Sequence, residues 1–405
     1  MIKKISSGQL KLGMYIHDLC CHWMEHPFAR NRFLITSERE VEKILQAGIR
    51  ELYIDTGKGL DAPDAPTAQE VREKIESQMV DLAARQATPI RISLAEEMDR
   101  ARRVRQQAHQ VVRSVMHDAR LGKAVELDRV EPVVEEITTS ILRNPGALAA
   151  LLHIKTKDDY TFLHSVSVCT LMVAFCRSAG LDAATTRQAG LGGLLHDIGK
   201  SLVPDAVLNK PGRLTDEEFA LIQRHPQDGH EILSRTPGIG AIPLDITLHH
   251  HERVDGSGYP GKHAGDAISQ LARMAAIIDV YDALTSERCY HKAISAAEAL
   301  RKLHEWSRFH FDPQLVQAFT RTVGIYPVGT LVLMESGRLG VVTGQHASNL
   351  LTPTVKVFFS TRSNTYIPPQ EVDLARPLGS GGADRIMSHE SAAKWRVDPM
   401  RFLAA

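Results

Sequence analysis

The stretch LLHDIGK, Leu194 to Lys200, decides how this chain is read. With Leu191 before it, Leu194, Leu195 and Ile198 give a helix one buried face, and Gly199 permits the helix to end. His196 and Asp197 sit beside that apolar stripe. A buried polar side chain without a partner costs roughly 2–7 kcal/mol. A metal ion would satisfy both. So would a His–Asp pair bonded to backbone, and for the dipeptide alone that is the simpler account.

The dipeptide is not alone. YTFLHSVSVCTL places His164 among apolar helical neighbours, and IQRHPQDGHEIL supplies His225. HHHERVDGSGYP, His249 to Pro260, sets three histidines beside Glu252 and a glycine-rich turn. AAIIDVYDALTSERCY adds Asp279 and Asp282 after an apolar run. A lone histidine on an apolar face is usually a core residue, but several in one helical region, with carboxylates, favour metal. The donors are nitrogen and oxygen without thiolate. That suits iron, manganese, nickel or zinc and argues against a structural cysteine–zinc site. His164, His196, Asp197, His225, His250, His251 and Asp279 are too many for one ion. One bridging carboxylate, with three further ligands on each side, uses them all.

The 405 residues suffice for two or three domains, and their formal net charge is zero. No global charge therefore argues for DNA or an anionic membrane surface. No run approaches the roughly 18 apolar residues of a spanning helix. The start MIKKISSGQLKLGM does not read as a secretory signal. Five scattered cysteines suggest a reducing cytoplasm.

The expected fold is mainly α: a helical bundle with a small N-terminal α/β domain and a small C-terminal β subdomain. Residues 1–60 form the first unit, with strands in GMYIHDL and LYI and a helix capped by Ser37 and Glu40. Residues 61–124 are a linker and a helical segment. Its spacing of Leu94, Met98, Ala101, Arg105, Ala108, Val112 and Val115 fits a coiled-coil dimer seam or a helix lying on its own domain. Residues 125–323 form the helical domain, and 324–405 a β subdomain and tail in which TLVLM, LGVVT and TVKVFF are strands.

Three of these motifs resemble the HD-GYP family, a branch of the HD-domain metal-dependent phosphohydrolases. HDIGK is similar to its HD-x-GK element, HHHERVDGSGYP to HHE-x-x-DG-x-GYP, and DVYDALTSERCY to D-x-x-DALTS-x-R-x-Y. They occur in order between about 130 and 323. Residues 1–60 also look like a small domain that precedes this module in some members. The resemblance implies an HD-type bundle and a phosphodiesterase that opens cyclic di-GMP to pGpG, with GMP from a second cut. It implies two metal ions, iron or manganese, with nickel or zinc also suited. One would be held by His164, His196 and Asp279, the other by His225, His250 and His251, with Asp197 bridging. Successive helical residues point about 100° apart, so three adjacent histidines cannot all face one site; the resemblance places the ligands at the two next to Glu252, which leaves His249 as the bystander. Tyr160 stands where some members place a glutamate for a third metal, so two are expected.

By the same resemblance Lys200 holds a phosphate oxygen, and Arg288 and Lys292 face the nucleotide. Cys289 replaces a proline common in members. Glu252 is expected to orient one of the histidines, and Asp282 lies near the site. Asp255, Gly256 and Gly258 would form a tight loop with positive φ, edged by Tyr259 and Pro260. The family uses that loop to support the site, and it is also proposed to dock diguanylate cyclase (GGDEF) domains. A homodimer is a further expected partner state. The alternatives are a nucleotide-responsive binding module that recruits cyclases, or a hydrolase of another cyclic dinucleotide. CCHWMEH, residues 20–26, is a weak second candidate for metal, with no matching half elsewhere.

Overall fold

The computed structural model describes residues 1–21, 28, 32–82, 92–152, 160–210, 214–286, 293–346, 349–376 and 384–403. Its first unit is a four-stranded antiparallel sheet with one helix. The elements are β1 (Ile2–Ser6), β2 (Tyr15–Asp18), β3 (Phe33–Leu34), α1 (Glu38–Gln46) and β4 (Glu51–Asp55), in sheet order β1-β4-β2-β3. Glu40 caps α1 by accepting from Ser37 N at 3.1 Å. β1 is a strand the sequence reading missed, because IKKIS carries two lysines. Both are buried, and Lys4 Nζ reaches Glu51 at 2.5 Å and Glu305 at 2.8 Å.

The helices that follow are α2 (Ala68–Leu82), α3 (Leu94–Arg120), α4 (Leu127–Arg143), α5 (Pro145–Leu152), α6 (Tyr160–Ser178) and α7 (Ala183–Leu195). They continue as α8 (Asp205–Leu208), α9 (Asp216–Gln223), α10 (His225–Ser234), α11 (Ala241–His249), α12 (Gln270–Thr285), α13 (Ala296–Trp306) and α14 (Pro313–Val323). The apolar stripe of α3 is not open to a second chain. Met98, Ala101, Ala108, Val112 and Val115 are buried in one cluster with Val134, Ile137, Val166 and Leu194. Val104 fills the place expected for Arg105, which is half-buried. The fully buried Glu97 fastens α3 to α4, accepting from Arg143 Nε and Nη2 at 2.7 Å each and from Ser140 Oγ at 2.8 Å. The helix therefore lies on the bundle and does not present a dimer seam.

A stretch within α6, Thr161–Ser178, is long and apolar enough to cross a membrane, contrary to expectation. It is the spine of the bundle, with 72% of that window buried, so its apolarity serves the core. The N-terminal unit shares a core with the bundle, since Cys20 and Tyr53 cluster with Leu300, Leu303 and Trp306.

The C-terminal sheet comprises β5 (Leu331–Met334), β6 (Arg338–Gly344), β7 (Thr354–Ser360), β8 (Thr365–Asp373) and β9 (Ile386–His389), in order β8-β7-β6-β5-β9. The first three were expected. β8 was hidden by Pro368 and Pro369. As an edge strand it tolerates them, and its pairing with β7 shifts register there.

Candidate metal centre

Five helices bring the donors together. His164 projects from α6. His196 and Asp197 follow the end of α7, and His225 opens α10. His250 and His251 follow α11, and Asp279 and Asp282 lie one turn apart on α12. All are buried, Asp279 the most exposed at 6%. Gly199 makes this convergence possible. A Cβ there would lie 2.0 Å from His225 O and 2.5 Å from Gly229 N, so only glycine lets the turn after Asp197 touch α10.

The donors include two groups of three, His164–His196–Asp279 and His225–His250–His251, the ligating atoms of each within 4.8 Å of one another, and a set His196–Asp197–His250 that meets the same limit joins them. Asp197 stands between them. Its Oδ2 is 3.7 Å from His164 Nε2 and 3.5 Å from His196 Nε2. Its Oδ1 is 3.2 Å from His225 Nε2 and 3.8 Å from His250 Nε2. Each oxygen thus faces one group.

Hydrogen bonds fix which nitrogen carries the proton. Nδ1–H of His196, His225 and His250 donates to the carbonyls of Gly193, Ile222 and Thr247 at 2.8, 2.7 and 2.9 Å. A carbonyl only accepts, so Nε2 is left as a lone pair. His225 Nε2 and His250 Nε2 nevertheless approach to 3.2 Å, beside a carboxylate oxygen. His196 Nε2 and both ring nitrogens of His251 are buried without a hydrogen bond. Converging lone pairs and carboxylates fit divalent cations well, and backbone or carboxylate bonds to the far ring nitrogen are how metal-binding histidines are oriented.

The electrostatics agree. Burial holds His196, His250 and His251 below the usual imidazole range. Burial alone would raise Asp197, but the Lys200 ammonium and the imidazoles hold it well below the carboxylate range. Asp279 is likewise held low against burial, chiefly by His164. Burial opposes the charged form of His164, yet Asp279 and Asp282 hold its pKa up. Asp282 Oδ2 accepts from its Nδ1 at 2.7 Å, while Asp279 Oδ1 lies 3.0 Å from its Nε2.

The remaining candidates divide. Lys200 Nζ rests on Asp197 Oδ2 at 2.6 Å. Arg288 and Lys292 lie outside the described residues, as do the Tyr160 side chain, His22 and His26. Glu252 does not orient His250 or His251. Its oxygens accept from Gly261 N at 2.6 Å and His263 N at 3.0 Å, so it pins the loop after Pro260. His249, 17% exposed, turns away from the centre toward Glu252 and His263.

Gly256 has the expected positive φ, +77°, but Gly258 is needed for a different reason. A Cβ on it would meet His251 O, Glu252 Cα and Arg253 N, all at 2.5 Å. Tyr259 then stacks on His251, ring centroids 4.7 Å apart, and Pro260 follows through a cis peptide bond. The loop thus buttresses His251. Asp255 accepts from Ser257 N and Oγ at 3.0 and 2.6 Å.

A cavity of about 480 Å³ opens at His251 and Tyr259. Its wall includes Arg253 and Lys262, and also Lys43 and Gln46 from α1. The sequence reading missed these residues. Nothing local in the sequence signals that α1 faces a loop some 200 residues away.

Comparison with known proteins agrees with this architecture. An HD-domain profile matches residues 149–315, and a profile described as a domain of unknown function (DUF3391) matches residues 2–130. Cyclic di-GMP phosphodiesterase PA4108 of Pseudomonas aeruginosa is 48% identical over 396 residues, 98% of this chain and 94% of that one. A cyclic di-GMP phosphodiesterase of Vibrio cholerae is 47% identical over 48% of this chain and 42% of its own length. The 3'3'-cGAMP-specific phosphodiesterase 1 of the same organism is 37% identical over 42% of this chain and 39% of its own. With a relative matched along nearly its whole length and the HD and GYP elements gathered round one buried cluster, this chain belongs to the HD-GYP family of HD-domain phosphohydrolases.

Proposed function

We propose that the chain is a phosphodiesterase that hydrolyses cyclic di-GMP to pGpG with two divalent transition-metal ions; a second cut would give GMP. The observation that carries this reading is Asp197, whose two oxygens each face a separate group of three donors. His164, His196 and Asp279 would hold one ion, His225, His250 and His251 the other, and Asp197 both. When bound, the ions would supply a water of lowered pKa and offset charge developing on the phosphodiester. The chain itself orients and shields. Backbone carbonyls hold three imidazoles with Nε2 inward, Asp282 holds the proton on His164 Nδ1, and Tyr259 keeps His251 in place. Lys200, beside the shared carboxylate, is placed to hold a phosphate oxygen as a point charge.

An all nitrogen and oxygen donor set supports iron or manganese, with nickel or zinc also accommodated. Metal analysis of anaerobically prepared protein, coupled to chromatography of cyclic di-GMP turnover, tests the reading. About two ions per chain and accumulating pGpG are expected. Metal-replete protein that leaves cyclic di-GMP intact would sink it. The 37% identity to a 3'3'-cGAMP-specific enzyme favours one second reading, that the mixed dinucleotide is the better substrate. Competition between the two dinucleotides decides.

Other expectations extend this proposal. A GGDEF partner would meet residues 261–264, the exposed flank of the loop. A homodimer would need a surface other than the buried stripe of α3. Cytoplasmic placement is supported by Cys20, Cys21, Cys169 and Cys176, all free thiols.

A further inference from the structure

The N-terminal unit is attached to the loop that buttresses His251, and its attachment is specific. Arg50 Nε lies 3.2 Å from Asp255 Oδ2. Gly48, with φ +72°, packs so closely on the loop that a Cβ would stand 2.4 Å from Ser257 Cβ. On the other side Lys43 Nζ pairs with Asp216 Oδ2 of α9 at 3.2 Å. The last turn of α1 is therefore held between α9 and the GYP loop. In that gap lies the cavity of about 480 Å³, lined by Lys43, Gln46 and Ala47 from α1 and by Phe219, His251 and Lys262 from the helical domain.

The volume falls within the usual range for small-ligand sites, roughly 300–1,000 Å³. A cyclic dinucleotide carries two phosphodiesters and two purines. Only one phosphodiester can sit at the metal centre, so the other needs a cation elsewhere. Lys43, Arg253 and Lys262 outnumber Asp216 on the lining, giving it a cationic balance. The Lys43–Asp216 pair is solvent-exposed, at 42% and 61%, and such pairs contribute at most about 1 kcal/mol. Lys43 can therefore turn to a phosphate at small cost. Gln46 offers both a donor and an acceptor, which a purine edge requires.

Building on the activity proposed above, we propose that the N-terminal unit forms one wall of the substrate site. Lys43 holds the phosphodiester that is not being cleaved, and Gln46 reads a purine edge. The unit is thus a specificity element for cyclic dinucleotides, built into the catalytic cavity.

The test compares two substrates of metal-loaded, full-length protein: cyclic di-GMP, and bis(p-nitrophenyl) phosphate, which has no second phosphodiester and no purine. Lys43→Ala and Gln46→Ala should each raise KM for cyclic di-GMP about tenfold, with kcat and cleavage of the small diester unchanged. Lys43→Arg should restore KM. An unchanged KM in both alanine variants overturns the proposal, and so does an equal loss on both substrates, which would mark a merely structural wall. A KM rise in Lys43→Arg matching that of Lys43→Ala overturns the charge assignment. Wild-type protein that cleaves the small diester but not cyclic di-GMP rejects the substrate reading itself, before any variant is compared.

Discussion

The metal centre and the joint between the N-terminal unit and the bundle are both built from charged side chains, but they are built differently. In the centre most histidines are fixed by the backbone just before them, through a carbonyl three residues back, and gather round two carboxylates. The joint relies on pairs between distant segments: Lys4 with Glu305, Lys302 with Asp18 at 2.7 Å, and Arg50 with Asp255. The first arrangement stores its geometry locally and directs lone pairs at a common point. The second neutralises charge and positions one body against another. Charge in the centre should therefore govern chemistry, and charge in the joint should govern stability and substrate access.

The largest effect expected is in the centre. Asp197→Ala removes the carboxylate that stands between the two groups of donors, and turnover of cyclic di-GMP should fall by at least about a thousandfold. Bound metal measured on the same sample should drop with it. Full activity in this variant would break the contrast outright. Gly199→Ala comes next. Its added Cβ cannot fit against the backbone of α10, so α10 must shift and carry His225 with it. A loss of activity of about a hundredfold, with lowered thermal stability, is expected, since a displacement near 1 Å at a reacting centre costs that much.

The joint should respond in the opposite sense. Glu305→Ala leaves the buried Lys4 with only Glu51. Breaking such a pair costs about 3 kcal/mol, visible in denaturant unfolding, while kcat stays within about twofold. A large loss of kcat with unchanged stability would reverse the comparison.

The smallest effect is a pH dependence on α13. Burial lowers the His304 pKa from 6.5 to about 4. As pH falls below 6.5 the unfolded chain takes up this proton, and the folded chain does so only near pH 4. Stability should therefore be fully present above pH 6.5 and decline between 6.5 and 4, by at most a few kcal/mol. His304→Gln should flatten that part of the profile in thermal melts, and an unchanged slope would count against it.

This contrast also explains what the sequence disclosed. The donors could be read because each carries a short local signature: an apolar helix, a polar pair, a glycine stop. What escaped was non-local. β1 was missed because Lys3 and Lys4 read as surface until their distant partners are known. The α3 stripe has coiled-coil rhythm, and only the fold shows that the bundle covers it. Glu252 lies beside two histidines of the donor cluster, yet bonds nine and eleven residues downstream. The α1 wall of the cavity depends on a contact between opposite ends of the fold.

The clasp between Glu97 and Arg143 has a practical bearing on how the protein is cut for study. An excised fragment starting at residue 149, where the HD-domain profile begins, would lack α3 and α4. It would leave Val166, Val173 and Leu194 facing water on one flank, an invitation to aggregate. A truncation meant to isolate the hydrolase should retain Ser93, which caps α3, and everything after it.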